Sequence, residues 1–104
     1  MKLYILEGHD VVQLTDTPAN ILTWARWFET ADRHVAVTDI GECRVSTAFL
    51  GIDHGVLERG PILFETMAFD EGGHAMEGYT RRYATWSEAA SGHLKVCQIL
   101  QDQP

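Results

Sequence analysis

Cysteine is scarce: Cys43 and Cys97 are the only two among 104 residues, and no C-x-x-C pair is present. A disulfide framework or a cysteine zinc knuckle needs more, so a reducing compartment is expected. Positive charge is scarce too. Eight bases against fifteen acids leave a net charge of −7 and a pI near 5.0. The basic footprint of a nucleic-acid binder is missing, and direct binding to DNA or RNA is not expected. Long apolar runs are absent: Leu3-Tyr4-Ile5-Leu6 precedes Glu7, far short of a signal peptide's apolar core, and no stretch approaches the roughly 18 residues of a spanning helix. Neither export nor a membrane location is expected. No GxGxxG, Walker, GxSxG or HExxH pattern and no paired catalytic carboxylates occur, which argues against the familiar enzyme classes.

What remains is ordinary globular material. Apolar residues make up 45% of the chain and charged residues 22%, close to the averages for folded domains. The length suits a single domain spanning residues 1–104, and area scaling gives about 5,900 Å² exposed when folded against about 17,000 Å² unfolded, enough for one core.

Leu3 to Leu6 reads as a short strand. Thr17-Pro18 then starts a helix over 18–32: the Thr hydroxyl caps free amides, and Pro at the first helical position loses no bond it would have made. Its expected apolar stripe is Ile21, Trp24, Ala25, Phe28 and Ala31. From His34 the period changes to two. Strands are expected over 35–40 and 43–52 around a Gly41-Glu42 turn, then over 62–69 and 79–84. Thr85-Trp86-Ser87-Glu88 is a capping box that opens a last helix over 86–100, with its stripe on Trp86, Ala89, Ala90, His93, Val96, Cys97 and Leu100. Short connections favour an α+β fold: an antiparallel meander of four to five strands with two helices on one face. Trp24, Phe28, Phe49, Phe64, Trp86 and Leu100 are expected to share one core.

Four stretches carry a resemblance: Arg33-His34-Val35-Ala36, the segment VSTAFLGIDH ending at His54, the segment GPILFETMAF ending at Phe69, and the segment RYATWSEAASGH ending at His93. Together they resemble a family of small uncharacterised proteins of tailed phages and bacterial prophages. Val56-Leu57-Glu58-Arg59 departs from that pattern, standing where the family is richer in Gly. The family carries no established activity, substrate or cofactor. The resemblance therefore implies a phage origin and the cytoplasm of a bacterial host.

Three groups of residues could carry chemistry. In a meander His34, Asp53 and His54 fall at one end of the sheet, and two imidazoles with a carboxylate are what a zinc or iron site uses, although the spacing matches no metal motif. At the other end Asp39, Glu42, Cys43, Asp70, Glu71, His74 and Glu77 make the most acidic part of the chain. Residues 53–77 carry six acids against one base, a net −5 in 25 residues. Asp53, Glu58, Asp70, Glu71, His74 and Glu77 are therefore candidates for an interaction surface. His93 lies in the apolar stripe one turn before Cys97, and a buried imidazole must be paired, so a structural bond to a backbone carbonyl or to Glu65 is expected.

The leading expectation is a small acidic accessory protein that binds a basic protein partner without a cofactor. Inhibition of a host enzyme or a host defence, CRISPR interference included, follows from the resemblance alone. The alternatives are a metal-binding protein or metal-assisted hydrolase using His34, Asp53 and His54, and a structural homo-oligomer built through an exposed sheet face.

Overall fold

The computed structural model describes residues 2–54 and 60–103. Six strands and two helices follow in the order β1 (Leu3–Glu7), β2 (Asp10–Leu14), α1 (Pro18–Thr30), β3 (His34–Ile40), β4 (Cys43–Phe49), β5 (Phe64–Phe69), β6 (Arg81–Tyr83) and α2 (Trp86–Gln101). β3 to β6 form a four-stranded antiparallel meander, and β1 and β2 form a separate hairpin. The fold is α+β. No helix among the described residues is long and apolar enough to cross a membrane.

The first hairpin was not foreseen. Glu7 pairs with Asp10 across the two-residue loop Gly8-His9, with Gly8 at φ 62. A Gly at the first loop position is the signature of a tight hairpin turn, and Val11-Val12 supplies the β-branched residues of the returning strand. The hairpin is tied to the sheet at Gly51, whose carbonyl accepts from the Tyr4 amide at 2.9 Å and from Trp24 Nε1 at 3.2 Å. Gly51 has φ 76, and a Cβ there would lie 3.0 Å from the Phe28 ring, so a side chain is disfavoured by conformation and crowded by the ring. At the hairpin tip His9 stacks on Trp86, the first residue of α2, with ring centroids 3.9 Å apart.

Both helix starts are as expected. Thr17 Oγ1 accepts from the Asn20 amide at 3.2 Å, and Thr85 Oγ1 accepts from the Glu88 amide at 3.2 Å. The Thr85 hydroxyl also donates to Glu88 Oε1 at 3.0 Å, so the Glu88 carboxylate returns to the cap through its hydroxyl rather than its backbone amide. α2 lays Ala89, His93, Val96, Cys97 and Leu100 on the meander, facing Val45, Thr47, Phe49, Phe64, Thr66 and Ala68, the buried residues of β4 and β5.

The core differs from the expectation in two respects. α1 has no fully buried residue; Ile21 is 43% exposed, and the inward positions are Trp24, Trp27 and Phe28. α1 packs on β1 rather than across the meander, and its contact with the sheet is at the tip of β4, where Trp27 meets Phe49 edge-on at 5.7 Å. The apolar residues also separate into two clusters. One holds Tyr4, Phe49, Leu63, Phe64 and Ala89, with Trp27 and Trp86 against it; the other holds Val45, Ala68, Val96, Cys97 and Leu100. Of the six residues expected to share one core, Phe49, Phe64 and Trp86 do, Leu100 lies in the second cluster, and Trp24 and Phe28 stack on each other beside Gly51. The molecule measures 51 × 29 × 22 Å and exposes 6745 Å², above the about 5,900 Å² of a compact globule of this mass.

These placements separate two aromatic truncations. Phe64, fully buried, is expected to cost about 3–5 kcal/mol as Phe64→Ala. Phe28, half-buried between Trp24 and the Arg33 guanidinium 3.8 Å above its ring, is expected to cost about 1–2 kcal/mol as Phe28→Ala. Urea unfolding followed by tryptophan fluorescence measures both.

Candidate functional site

Between the two apolar clusters lies a chain of polar side chains. Thr47 and Thr66 oppose each other on β4 and β5, both fully buried, with Oγ1 atoms 2.5 Å apart. The Tyr83 hydroxyl donates to Thr66 Oγ1 at 3.1 Å. His93, 2% exposed on α2, places Nδ1 2.7 Å from Thr47 Oγ1 and Nε2 2.8 Å from Thr38 Oγ1 on β3. One direction of donation satisfies every member: Tyr83 to Thr66, Thr66 to Thr47, Thr47 to His93 Nδ1, and His93 Nε2–H to Thr38. Burial holds the His93 imidazole below its ordinary pKa, because the charged form would have to shed its water.

His93 is therefore paired, as expected, but with threonines on β3 and β4. Glu65 is not its partner, because it points to the opposite face of the sheet and accepts from Arg82 Nε at 3.0 Å. Alternation decides this, since Thr66 and Glu65 are adjacent on β5 and face opposite ways. A hydroxyl against an imidazole is the pairing of a nucleophile with its base. Here both threonines of the β4–β5 pair are fully enclosed, and no substrate reaches them. Both ring nitrogens of His93 are taken by threonines, so Cys97 has no base beside it from that residue. The chain reaches the surface at Tyr83, which lies across Gly92; a Cβ at position 92 would overlap the Tyr83 ring.

The metal candidates fall at one end of the sheet, since His34 opposes Ala48 near the end of β4. Each has a local partner. His34 Nδ1 and its amide both lie 3.0 Å from Asp32 Oδ1, and these bonds hold the Asp32 carboxyl below its usual pKa. Asp53 Oδ1 accepts from the Ile62 amide at 2.8 Å, and the His54 amide donates to the Ile62 carbonyl at 2.9 Å. Burial and the nearby Asp53 carboxylate push the Tyr4 phenol up. Among the described residues no group of three or more His, Cys, Asp or Glu side chains converges so as to hold a metal ion.

The acidic candidates divide between the two ends of β5. Asp53 precedes the strand and Asp70, Glu71, His74 and Glu77 follow it, so a six-residue strand of about 20 Å separates them. Glu58 lies outside the described residues. At the far end the β3–β4 turn and the loop after β5 enclose a hollow of about 560 Å³, lined by Asp39, Glu42, Arg44, Phe69, Asp70 and Glu71 among others. Two of these acids are committed locally. Asp39 Oδ1 accepts from Arg44 Nε at 2.8 Å, and Asp70 Oδ1 accepts from the amides of Gly72 and His74 at 3.0 and 2.9 Å. Those bonds, to the Arg44 side chain and chiefly to the His74 amide, hold the Asp39 and Asp70 carboxyls low. Glu42 and Glu71 are exposed on the rim.

A second groove, of about 530 Å³, lies between β6 and α2, lined by Arg81, Tyr83, Ser87, Glu88, Ser91, Gly92, Lys95, Val96 and Ile99. None of the sequence-based candidate sites falls in this groove. The available signal was Ser87, Ser91, Lys95 and Ile99 recurring every fourth residue on the flank of α2 beside the core stripe.

The His93 network has a pH signature. A neutral buried imidazole with a depressed pKa supports the fold above the unfolded value of about 6.5, and that support is lost as pH falls below it towards the folded value. The lowered carboxyls of Asp32, Asp39 and Asp70 act only below about pH 4, outside this window. The urea midpoint is therefore expected to fall between pH 8 and pH 5. His93→Gln should flatten that slope while costing about 1–3 kcal/mol at pH 8 through the threonines left without the imidazole.

Compared with family models, curated proteins and solved structures, the chain matches none.

Proposed function

We propose that the protein acts by binding another protein, one with a basic face, at the acidic end of the meander. The observation that carries this reading is the hollow between the β3–β4 turn and the loop after β5, where four acids and one base line a concave surface. A concave wall in which one sign of charge predominates concentrates field and speeds the encounter with a partner of opposite charge. Phe69 in the same hollow offers apolar area for a contact core. The burial of the Thr47–His93 pair supports binding over catalysis, because that imidazole–hydroxyl contact lies inside the core. The resemblance to small phage and prophage proteins supports a host target in the bacterial cytoplasm, a defence component or an enzyme.

The acidic hollow has a kinetic test on a partner captured from host lysate. Glu42→Lys with Glu71→Lys is expected to slow association about tenfold or more at 0.05 M salt, with the difference shrinking above about 0.1 M, where the Debye length falls below 10 Å. Glu7→Lys with Glu29→Lys changes net charge by the same amount at exposed sites elsewhere and should have much less effect. Equal effects from the two pairs would leave only the overall charge at work.

A further inference from the structure

The groove between β6 and α2 has a different polarity from the acidic hollow. Arg81 and Lys95, two of the chain's eight bases, line it together. Its one acid, Glu88, already accepts from the Thr85 hydroxyl. Arg81 Nη1 donates to the carbonyls of Gly78 and Thr80 at 2.8 and 2.9 Å, which holds the guanidinium in place before anything binds. Tyr83, Gly92, Val96 and Ile99 give the groove apolar surface, and Ile99 is 39% exposed. β6 is the last strand of the sheet order, so among the described residues no strand pairs with its outer edge. An open strand edge beside a helix-walled groove is the arrangement by which extended peptides add to a sheet: backbone bonds supply affinity, and side-chain pockets supply selectivity.

We infer that this groove takes an extended acidic segment of a partner protein, its backbone pairing along the outer edge of β6 and a carboxylate held by Arg81 and Lys95. Charge complementarity selects this occupant. In a chain of net charge −7, a groove with two cations and one engaged acid attracts a carboxylate and disfavours a basic segment. A second copy of the chain is disfavoured by mutual repulsion. The short β6 limits pairing to a few residues, which suits a weak linear-segment contact rather than a sheet-to-sheet dimer.

The test is an NMR titration of labelled protein with an octapeptide of alternating Thr and Val carrying one central Glu. Saturable shifts are expected at the amides of residues 81–83 and 87–99. Lys95→Glu should weaken the affinity about fivefold or more, and so should replacing the central Glu of the peptide by Lys. Ser91→Trp, which fills the groove from an exposed position, should abolish the shifts, as should methylating alternate peptide amides. Glu42→Lys with Glu71→Lys should bind the peptide as the wild type does, so the groove stands or falls separately from the acidic hollow. Absence of shifts at millimolar peptide, equal binding of the Glu and Lys peptides, or unchanged affinity in Lys95→Glu would overturn the proposal. Inorganic phosphate reproducing the whole shift pattern would also overturn it, leaving a simple anion pocket.

Discussion

The burial of an imidazole and two threonine hydroxyls in the middle of the core is the constraint around which the rest of the structure is arranged. A buried polar group left without a partner costs more than a satisfied one returns, so these groups must meet at hydrogen-bond distance or the core is destabilised. Thr38, Thr47 and Thr66 come from three adjacent strands, Tyr83 from the fourth, and His93 from the helix above them. Satisfying all five fixes the register of the meander and the position of α2 over it. A slip of one residue in β3, β4 or β5 would turn a threonine to the solvent face, and one in β6 would turn Tyr83 out. The apolar clusters on either side contribute most of the burial, and the polar chain between them selects one arrangement of it.

Gly92 extends this constraint to the surface. The Tyr83 ring reaches Thr66 by crossing α2 where there is no side chain, so helix and edge strand approach closely there. The groove lined by Arg81 and Lys95 is formed at that close approach. The β1–β2 hairpin and α1 join the rest through the Gly51 carbonyl, the Trp24–Phe28–Arg33 stack, the His9–Trp86 stack and the burial of Tyr4 in the cluster of Phe49 and Phe64. That attachment buries no residue of α1 completely.

The two surfaces of opposite sign sit at different places on one meander. The acidic hollow is made by turns, whose acids are set by loop chemistry: Asp70 organises its own turn, and Asp39 pairs with Arg44 across the β3–β4 hairpin. The basic groove is made by a strand edge and a helix flank. A binding protein gains from such separation, because a basic face and an acidic segment of one partner could be engaged without competing for the same residues.

Local chemistry made much of this legible from the sequence. Thr17-Pro18 and the capping box at Thr85 mark both helix starts because capping depends on neighbours within three residues, and the alternation through β3, β4 and β5 marks strands because the period-two pattern is itself local. The need of His93 for a partner was equally legible, since its place in an apolar stripe implies burial. Its partners were not: Thr38, Thr47 and Thr66 are brought to it by pairing between strands and by the placement of α2, across separations of 55 and 46 residues for its own two bonds. The same limit applies to Glu65, whose alternation left both faces open until the sheet's register was set, and to the acids of residues 53–77, which are close in sequence but lie at opposite ends of β5. The sequence by itself determined the elements other than β2, the helix caps and the class of fold, because those follow from contacts a few residues apart. Only the tertiary structure decided which polar groups meet, how the core divides and where the grooves lie, because those depend on distances that no short stretch of chain contains.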